Sequence, residues 1–366
     1  MHIRSLTLLA ILALVAAACD GGETGDASTT SASEETTTTT APEPEFEAMQ
    51  LTYALEAGAS YSYEVAVDQT IDLTTTGDTT ALGEGEELPG EMSLTVTGTS
   101  TFNHTVSDGP EPGTFEINIV GDFTDLEFGG TVDGEPVDEA EIPDLAEMEP
   151  VDTTIVVDEQ GNVIPGSSDD LGADLLGGMG GLDMLDQFGA AAGTGQFVGP
   201  PLTEDEVTVG DTWSETIEIP AMPDADPITT QIDSEVVGTD TVDGAAVLVI
   251  DTTTTTSPIE FDLAQLLIGF MTAFMPEDAT EEERAEIDAL VDQLRFAFSI
   301  DESVADMTTW FDHEAGLSRQ AEVSGDTNMV MDINIPDETT GELVEFAMDM
   351  AVSQNVTYRL VDSSDT

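Results

Sequence analysis

Few side chains in this sequence have the types and spacing that acid–base or nucleophilic catalysis needs. Beyond the amino-terminal stretch there are two histidines, His104 and His313, and they are far apart along the chain. A serine nucleophile needs a base such as histidine beside it, but Asp312-His313-Glu314 is typical of a solvated turn. With 77 acidic residues, carboxylate pairs like those of glycoside hydrolases arise by number alone. The sequence therefore predicts no catalytic residues, and we expect the protein not to be an enzyme.

Metal-binding patterns are equally sparse. The sequence has neither a His-x-x-x-His nor a Cys-x-x-Cys spacing, the patterns that favour zinc. Carboxylates favour a hard cation such as Ca²⁺, so the acidic surface could associate weakly with calcium. Asp240-Thr241-Val242-Asp243-Gly244 is nevertheless the pattern of a turn and not of a calcium loop. We predict no metal site and no cofactor, and adaptation to a saline or charge-rich setting is the alternative reason for the acidity.

The charge of the chain is strongly one-sided. Five arginines and no lysine stand against 77 acidic residues, which gives a formal net charge of −72. Phosphate contacts need clustered Lys or Arg, so nucleic acid is excluded as a partner. The same shortage argues against docking on anionic lipid headgroups through a basic patch. Hydrophobic residues make up 40% of the chain, which is enough for a packed core despite the charge.

Cys19, the only cysteine, is the residue whose position indicates a specific covalent chemistry. The apolar stretch Leu6–Ala18 is too short for a permanent membrane helix and is typical of a secretory signal. Val15-Ala16-Ala17-Ala18-Cys19 resembles the bacterial lipobox, in which the cysteine receives a diacylglyceryl thioether. We therefore expect export, lipidation of Cys19 and anchoring to the bacterial cell membrane by acyl chains. The alternative is an ordinary signal peptide cut after Ala18, which leaves a free thiol.

Residues 19–47 predict a disordered tether. They consist mainly of Thr, Ser, Glu, Ala and Pro, with five consecutive threonines at Thr36–Thr40. Such a segment buries too little apolar surface to fold, and as a coil it has a reach of about 30 Å. The composition is also typical of O-glycosylated stalks, so a plain spacer and a glycosylated one both remain open.

From residue 48 the pattern changes to the period-two alternation of half-buried strands. Tyr61, Tyr63, Val65 and Val67, for example, fall on one face. Short turns such as Val132-Asp133-Gly134, Val242-Asp243-Gly244 and Ser324-Gly325-Asp326 separate the runs. The pattern predicts a mainly β (α+β) fold: an antiparallel curved sheet or half-barrel of about 10–12 strands. The predicted strands include 92–106, 115–123, 153–157, 213–219, 228–237, 245–256, 307–311, 317–323, 329–335 and 347–361.

A faint internal repeat divides the folded part into two related halves. A strand, an Asp-Gly turn and a second strand recur at 95–123 and at 228–256. Each is followed by an aspartate and a nearby glycine, Asp158 with Gly161 and Asp312 with Gly316, which favours a tight turn. The predicted regions are the signal peptide 1–18, the tether 19–47, the first β-half 48–165, an insert or linker 166–200, and the second β-half 201–362.

Two inserts carry apolar residues at helical spacing. In the second half, the pattern predicts a helical hairpin at 262–298, whose first helix contains Phe270, Met271 and Phe274 and whose second helix has Phe298 on its apolar face. The Gly/Met/Leu-rich insert at 166–200 predicts a looser helix. We predict that the two inserts cover a cleft on the sheet and line it with Leu175, Met179, Phe188, Phe270, Met271 and Phe274. In the alternative, these apolar faces only close the sheet core.

One motif carries a resemblance to known proteins. Val209-Gly210-Asp211-Thr212-Trp213, followed about a hundred residues later by Phe311-Asp312-x-x-x-Gly316, resembles sequences of uncharacterised β-rich surface lipoproteins of actinobacterial type, which have no assigned catalytic residues. The predicted architecture is also similar to that of lipoprotein-localisation and mycobacterial lipid-carrier lipoproteins. Those hold acyl chains between a half-barrel and its helices, so the similarity implies a hydrophobic ligand.

Two functional hypotheses follow. The first is a lipid-anchored cell-envelope lipoprotein without catalytic activity that binds a lipid or acyl chain between the sheet and the inserted helices. The alternative is a structural or interaction protein of the cell envelope with no small-molecule ligand. In both, the membrane is contacted through the anchor at Cys19.

Overall fold

The computed structural model describes an antiparallel β-protein. The described residues are 48–77, 89–122, 126–137, 151–162, 164, 199–219, 227–262, 295–336 and 343–364. Within these ranges every regular element is a strand and no helix occurs. The strands are β1 (Met49–Gln50), β2 (Ser60–Gly77), β3 (Glu91–Asp108), β4 (Thr114–Asp122), β5 (Leu126–Val132), β6 (Glu135–Pro136), β7 (Val151–Asp158), β8 (Glu206–Val207), β9 (Thr212–Ile219), β10 (Ile228–Val242), β11 (Ala245–Thr256), β12 (Ile259–Asp262), β13 (Arg295–Ile300), β14 (Ser303–Asp312), β15 (Leu317–Pro336) and β16 (Leu343–Ser364).

Fourteen of these strands form one open sheet, and β1 pairs with β8 in a separate two-stranded one. The main path runs β6-β5-β3-β2-β16-β15-β14-β11-β10-β9. The long strand β3 pairs with β5 along its first part and with β4 along its second, and β4 also pairs with β7. In the same way β15 pairs with β14 and then with β13 along one edge. The predicted antiparallel β-sheet is confirmed, with more strands than the 10–12 expected.

Alternation of side chains defines an inner, buried face and an outer, acidic face. In β10, Ile232 and Ser234 are buried whereas Asp233 and Glu235 are exposed, as the twofold repeat of a strand dictates. Hydroxyl groups on neighbouring strands hold the outer carboxylates. Thr308 Oγ1 donates to Asp251 at 2.8 Å, and Thr253 Oγ1 donates to Asp306 at 2.8 Å. On these neighbouring strands, hydroxyl–carboxylate hydrogen bonds thus engage outer-face carboxylates where the chain has no lysine to pair with them.

Two Asp-Gly turns lie where the sequence predicts them. Asp133 and Gly134 have φ of 51° and 80°, and Asp243 and Gly244 have φ of 50° and 86°. Two consecutive residues with positive φ make the two-residue hairpin turn that suits the twist of antiparallel strands.

The turn predicted at Ser324-Gly325-Asp326 is wrong, because these residues lie inside the continuous strand β15. Gly325 pairs with Ala305 on one side and with Gln354 on the other. The break between strands lies instead in the neighbours of β15, where β13 ends and β14 begins. No turn forms at Gly325 because its backbone N–H and C=O groups find their hydrogen-bond partners in the neighbouring strands.

The helical hairpin predicted at 262–298 is wrong at both of its ends. Asp262 closes strand β12, and Phe298 lies in strand β13, directly opposite Phe261. Residues 295–300 alternate in type as Arg-Phe-Ala-Phe-Ser-Ile, and they pair with the open edge of β15. That period-two pattern outweighs the helical spacing. Residues 263–294 of the hairpin, and the Gly-rich insert up to residue 198, lie outside the described residues.

The same strand pairing occurs once in each half of the chain. In the first half β2, β3, β4 and β7 are consecutive neighbours, and in the second half β9, β10, β11 and β14 are. The halves are joined by β2 and β16, which pair along almost their full lengths.

The buried side chains of the inner face form two clusters. We call the larger one the main core; it contains among others Leu51, Tyr53, Tyr63, Val236, Leu248 and Phe311. The second, the small cluster, consists of Ile71, Met329 and Val352 with Leu94, Phe298, Ile300 and Met350 packed against them. It lies towards the opposite end of the long strands β2, β15 and β16.

Candidate ligand-binding site

The main core is closed at one end by the segment Leu51–Leu55, and Tyr53 is its central residue. The Tyr53 N–H donates to Glu159 O at 2.9 Å, and its hydroxyl donates to Pro200 O at 2.9 Å. Its ring meets Phe311 edge-on, with centroids 5.4 Å apart. Burial raises the pKa of Tyr53 far above its usual value, so the hydroxyl stays protonated and keeps donating.

The turns Asp158–Gly161 and Asp312–Gly316 are both hydrogen-bonded to the segment Leu51–Leu55. Asp158 Oδ1 accepts from the backbone N–H groups of Gln160 and Asn162, each at 2.9 Å. Asp312 Oδ1 accepts from those of Glu314 and Ala315 at 3.1 and 2.9 Å. The carboxylates thus satisfy local backbone donors, as the sequence predicts. The Tyr53 N–H donates to Glu159 O in the first turn, and the Ala54 N–H donates to Gly316 O in the second at 3.0 Å. One segment is therefore hydrogen-bonded to both halves of the sheet.

Asp312 also forms the one largely buried ion pair of the described residues. Its Oδ2 accepts from Arg319 Nη2 at 2.7 Å and from Nε at 2.9 Å, and its side chain is 6% exposed. Burial alone would raise the pKa of Asp312, but the hydrogen bonds from Ala315 and Arg319, with the arginine's charge, lower it overall. This carboxylate is therefore ionised and fully engaged in holding the turn.

The free edges of β7 and β9 approach each other near the same end. Leu202 N donates to Gln160 O at 2.9 Å, and Trp213 Nε1 donates to Pro201 O at 2.9 Å. Burial raises the pKa of Glu215 in β9, and the charge of Asp158 at the end of β7 raises it further. The backbone groups of Pro201 and Leu202, which precede β8, therefore bridge the two edges.

The main core offers almost no space for a ligand. Its cavity has a volume of about 10 Å³, which is room for roughly one water molecule. The buried His104 lies beside it with its ring 4.8 Å from that of Tyr63, and burial lowers the pKa of His104 to about 4. The imidazole is therefore neutral at pH 7. The cavity is lined by Tyr53, Leu55, Tyr61, Tyr63, His104, Val106, Ile117 and Leu317.

The small cluster is packed less completely than the main core. Three of its members are buried and four are only half-buried. Leu94, Ile71 and Val352 are direct neighbours across β3, β2 and β16. Met329 lies between Ile300 and Met350 in the same way. Methionine side chains adapt to irregular apolar partners, so this end of the inner face is the described surface best suited to an apolar chain.

A polar row separates the two clusters. Gln69 and Gln354 are opposite each other on β2 and β16, and both are buried, with 2% and 5% exposure. Gly325 and then Ala305 continue the row on β15 and β14. Thr327, also buried, lies in the next row opposite Val352. Among the described residues, Gln69 Oε1 and Thr327 Oγ1 have no hydrogen-bond partner.

None of the residues that the sequence singles out as a site can be placed against this geometry. The lipidation site Cys19 and the predicted lining residues Leu175, Met179, Phe188, Phe270, Met271 and Phe274 lie outside the described residues. The small cluster was missed because its members are scattered over five strands. The available signal was Met and Phe at alternate positions near strand ends, as in Met348-Asp349-Met350 and Phe296-Ala297-Phe298.

Two further observations limit the site chemistry. In the described ranges, no group of three or more His, Cys, Asp or Glu side chains is arranged to hold a metal ion. No helix of the described part of the chain is long and apolar enough to cross a membrane.

Comparisons with known proteins give no family. No protein-family model matches the sequence, and no curated protein matches it. A structure on lipid–protein interactions in lipovitellin is 9% identical with a TM-score of 0.31, covering 85% of this chain and 26% of that one. The chain thus spans about a quarter of that protein's length. The outer membrane protein OprG from Pseudomonas aeruginosa is 8% identical with a TM-score of 0.19, covering 85% of this chain and 100% of that one. Similarities of this size assign neither a function nor a ligand.

Proposed function

We propose that the protein is an exported, lipid-anchored lipoprotein of the bacterial cell envelope that binds a hydrophobic ligand and has no catalytic activity. The observation that carries the proposal is the contrast between the two clusters of the inner face. The main core has 25 buried residues and six half-buried ones packed against them, whereas the small cluster has three buried residues and leaves Leu94, Phe298, Ile300 and Met350 half-buried. Apolar surface of this kind, rimmed by polar groups, is typical of a site for an apolar partner.

The amino-terminal sequence supports the proposed location. The lipobox-like residues before Cys19 support acylation, and the tether 19–47 would hold the sheet at an r.m.s. distance of about 30 Å from the membrane. Such a distance suits a protein that takes up or releases lipid near the bilayer. The Val-Gly-Asp-x-Trp motif, which resembles sequences of actinobacterial-type surface lipoproteins, supports the same location.

The ligand we propose is a lipid or an acyl chain lying along the small cluster. Each methylene removed from water contributes about 0.8 kcal/mol, so a chain of ordinary length gains enough to offset the cost of immobilisation. The predicted lining residues of the two inserts, from Leu175 to Phe188 and from Phe270 to Phe274, would complete the site from the side opposite the sheet.

The alternative is a structural or interaction protein of the envelope without a small ligand. One observation favours it: the cavity of the main core has a volume of only about 10 Å³. Under this alternative, the half-buried residues of the small cluster contact only other parts of this chain or another protein.

Native mass spectrometry and a lipid-binding assay would separate the two. Protein isolated from its own host should carry a co-purifying acyl compound, and the delipidated protein should bind a fluorescent lipid saturably. Leu94→Gln, which puts an amide into the small cluster, should weaken probe binding. Val237→Gln is the matched control because Val237 is exposed on the outer face. Absence of both a bound compound and saturable binding would leave the structural alternative.

A further inference from the structure

We infer that the ligand is a neutral amphiphile whose uncharged head donates hydrogen bonds, such as an acylglycerol or a fatty alcohol, with its head at Gln69 and Thr327 and its chain on the small cluster. This inference rests on the proposed function and specifies its ligand class.

The polar row and the small cluster are contiguous on the inner face. Gln69 and Gln354 are a direct cross-strand pair, whose Cβ atoms lie about 5 Å apart in such sheets. Ile71 and Val352, the next inner residues of the same two strands, form the neighbouring pair. A head group at the glutamines therefore places its chain directly on the apolar residues.

One buried polar atom of this row, and one in the next row, lack a hydrogen-bond partner within the described part of the chain. Gln69 Oε1 and Thr327 Oγ1 are buried and without a hydrogen-bond partner among the described residues. Buried polar atoms in folded proteins are almost always paired with protein, water or ligand. An amide oxygen only accepts hydrogen bonds, so its partner must carry O–H or N–H.

The row consists of uncharged residues, and those on β15 and β14 are small. Gly325, directly opposite Gln354, has no side chain, and the next residue along the row, Ala305, has a single methyl group. Val96, Gln69, Gln354, Gly325 and Ala305 are all uncharged.

An ionised head would be disfavoured here. A carboxylate or phosphate buried against uncharged groups loses its hydration without an ionic partner. The formal net charge of −72 opposes its approach as well. Arg319 and Arg359 are already engaged by Asp312 and Asp243, at 2.7 and 2.9 Å.

The test is a competition series on the delipidated full-length protein with a fluorescent lipid as the displaced probe. The competitors share one chain length and differ in head: a monoacylglycerol, a fatty alcohol and an ionised fatty acid at neutral pH. We expect the two hydroxyl-bearing compounds to compete at least about tenfold better than the fatty acid, a ratio that corresponds to about 1.4 kcal/mol.

Variants of Gln69 in the row and of Thr327 in the next row locate the preference; below, these are the row variants. Gln69→Leu and Thr327→Val keep side-chain size and remove the polar atom, so each should reduce the preference for hydroxyl heads while probe binding persists. Gln231→Leu, on the exposed face of β10, is the matched control and should leave the preference unchanged. Thermal unfolding checks that each variant is folded, and either row variant suffices if the other does not fold.

The outcomes are distinguishable. Saturable probe binding with equal or better competition by the fatty acid would overturn the inference and leave the proposed function standing. An unchanged preference in the folded row variants would overturn it as well. Failure of the wild-type protein to bind the probe would instead overturn the proposed function.

Discussion

Gly58 and Gly210 occupy equivalent positions in the two halves of the sheet. The Gly58 N–H donates to Val106 O at 2.8 Å, and the Gly210 N–H donates to Val236 O at 2.7 Å. The two glycines have φ of 96° and 91°. In each half the valine N–H also donates, at 3.0 Å, to the carbonyl of the residue after the glycine. Two hydrogen bonds thus join the turn at the start of one strand to the neighbouring strand.

Replacing Gly210 should destabilise the fold through its backbone alone. No atom lies near the Cβ that Gly210→Ala would add, but φ is +91°, and a left-handed conformation costs an L-residue about 1–2 kcal/mol. Gly238→Ala is the control because it also meets no atom and has no positive φ. Urea unfolding should show the loss for Gly210→Ala alone. Equal effects would mean that the turn is not strained.

Tyr53→Phe should destabilise the protein by about 1–2 kcal/mol, because it leaves the buried carbonyl of Pro200 without its donor. Tyr63→Phe is the matched comparison, since the Tyr63 hydroxyl is 3.4 Å from Ser318 O and loses a weaker bond. Chemical denaturation of both variants measures the difference. A larger loss for Tyr63→Phe would contradict the central role of Tyr53.

His104 should make stability fall as the pH is lowered from about 6.5 to about 4. Its folded-state pKa, about 4, lies below the value of about 6.5 for the unfolded chain, so the unfolded state binds more protons in that window. Stability is therefore highest above pH 6.5, and its loss through this group approaches about 3 kcal/mol by pH 4.

His104→Leu should remove this contribution. The difference in free energy of unfolding between wild type and variant, followed by denaturation from pH 7 to pH 4, isolates it from the titration of the carboxylates. A difference that is constant with pH would show that His104 titrates normally.

The melting temperature should rise with salt. The mature chain expected from the sequence has four arginines against 77 acidic residues, a net charge of −73, and such self-repulsion opposes compaction. Raising NaCl from about 0.01 M to about 1 M shortens the Debye length from about 30 Å to about 3 Å. Differential scanning calorimetry over that range is the measurement. A flat response would indicate that bound cations, such as Ca²⁺, already neutralise the surface.

Cys19→Ser should abolish acyl-dependent membrane retention without altering the sheet, because only the cysteine thiol accepts the diacylglyceryl group. Detergent phase partitioning of the expressed protein gives the retention, and circular dichroism gives the fold. A Cys19→Ser protein that remains wholly in the membrane fraction would contradict lipidation at this position.

The sequence predicts the strands well because alternation is a local signal, and β11, for example, has the predicted limits 245–256. Pairing is not local. Nothing near Ile71 indicates that its neighbours are Leu94 and Val352, so the small cluster and the polar row could not be assembled beforehand. Phe298 shows a second kind of failure. The short segment around it fits both the helical and the strand period, and pairing with the open edge of β15 makes it a strand.

The repeat is also more evident in hydrogen bonds than in residue types. Ala57-Gly58-Ala59-Ser60-Tyr61 matches Val209-Gly210-Asp211-Thr212-Trp213 only in its glycine and in a final aromatic residue. Those two are what the turn requires: a residue tolerant of positive φ and a large side chain packing inward.

The pairing of β2 with β16 determines when the two halves of the sheet can join during folding. These strands are separated by nearly the whole folded chain, yet they are neighbours from Ser60–Ser364 to Gly77–Phe346. A chain that is synthesised from its amino terminus presents β2 long before its partner. Each half can form its own meander early, but the seam between them closes only when β16 arrives, and such distant pairing is slow. Until then the edge of β2 is open to other strands, and a membrane anchor would keep the waiting chains apart.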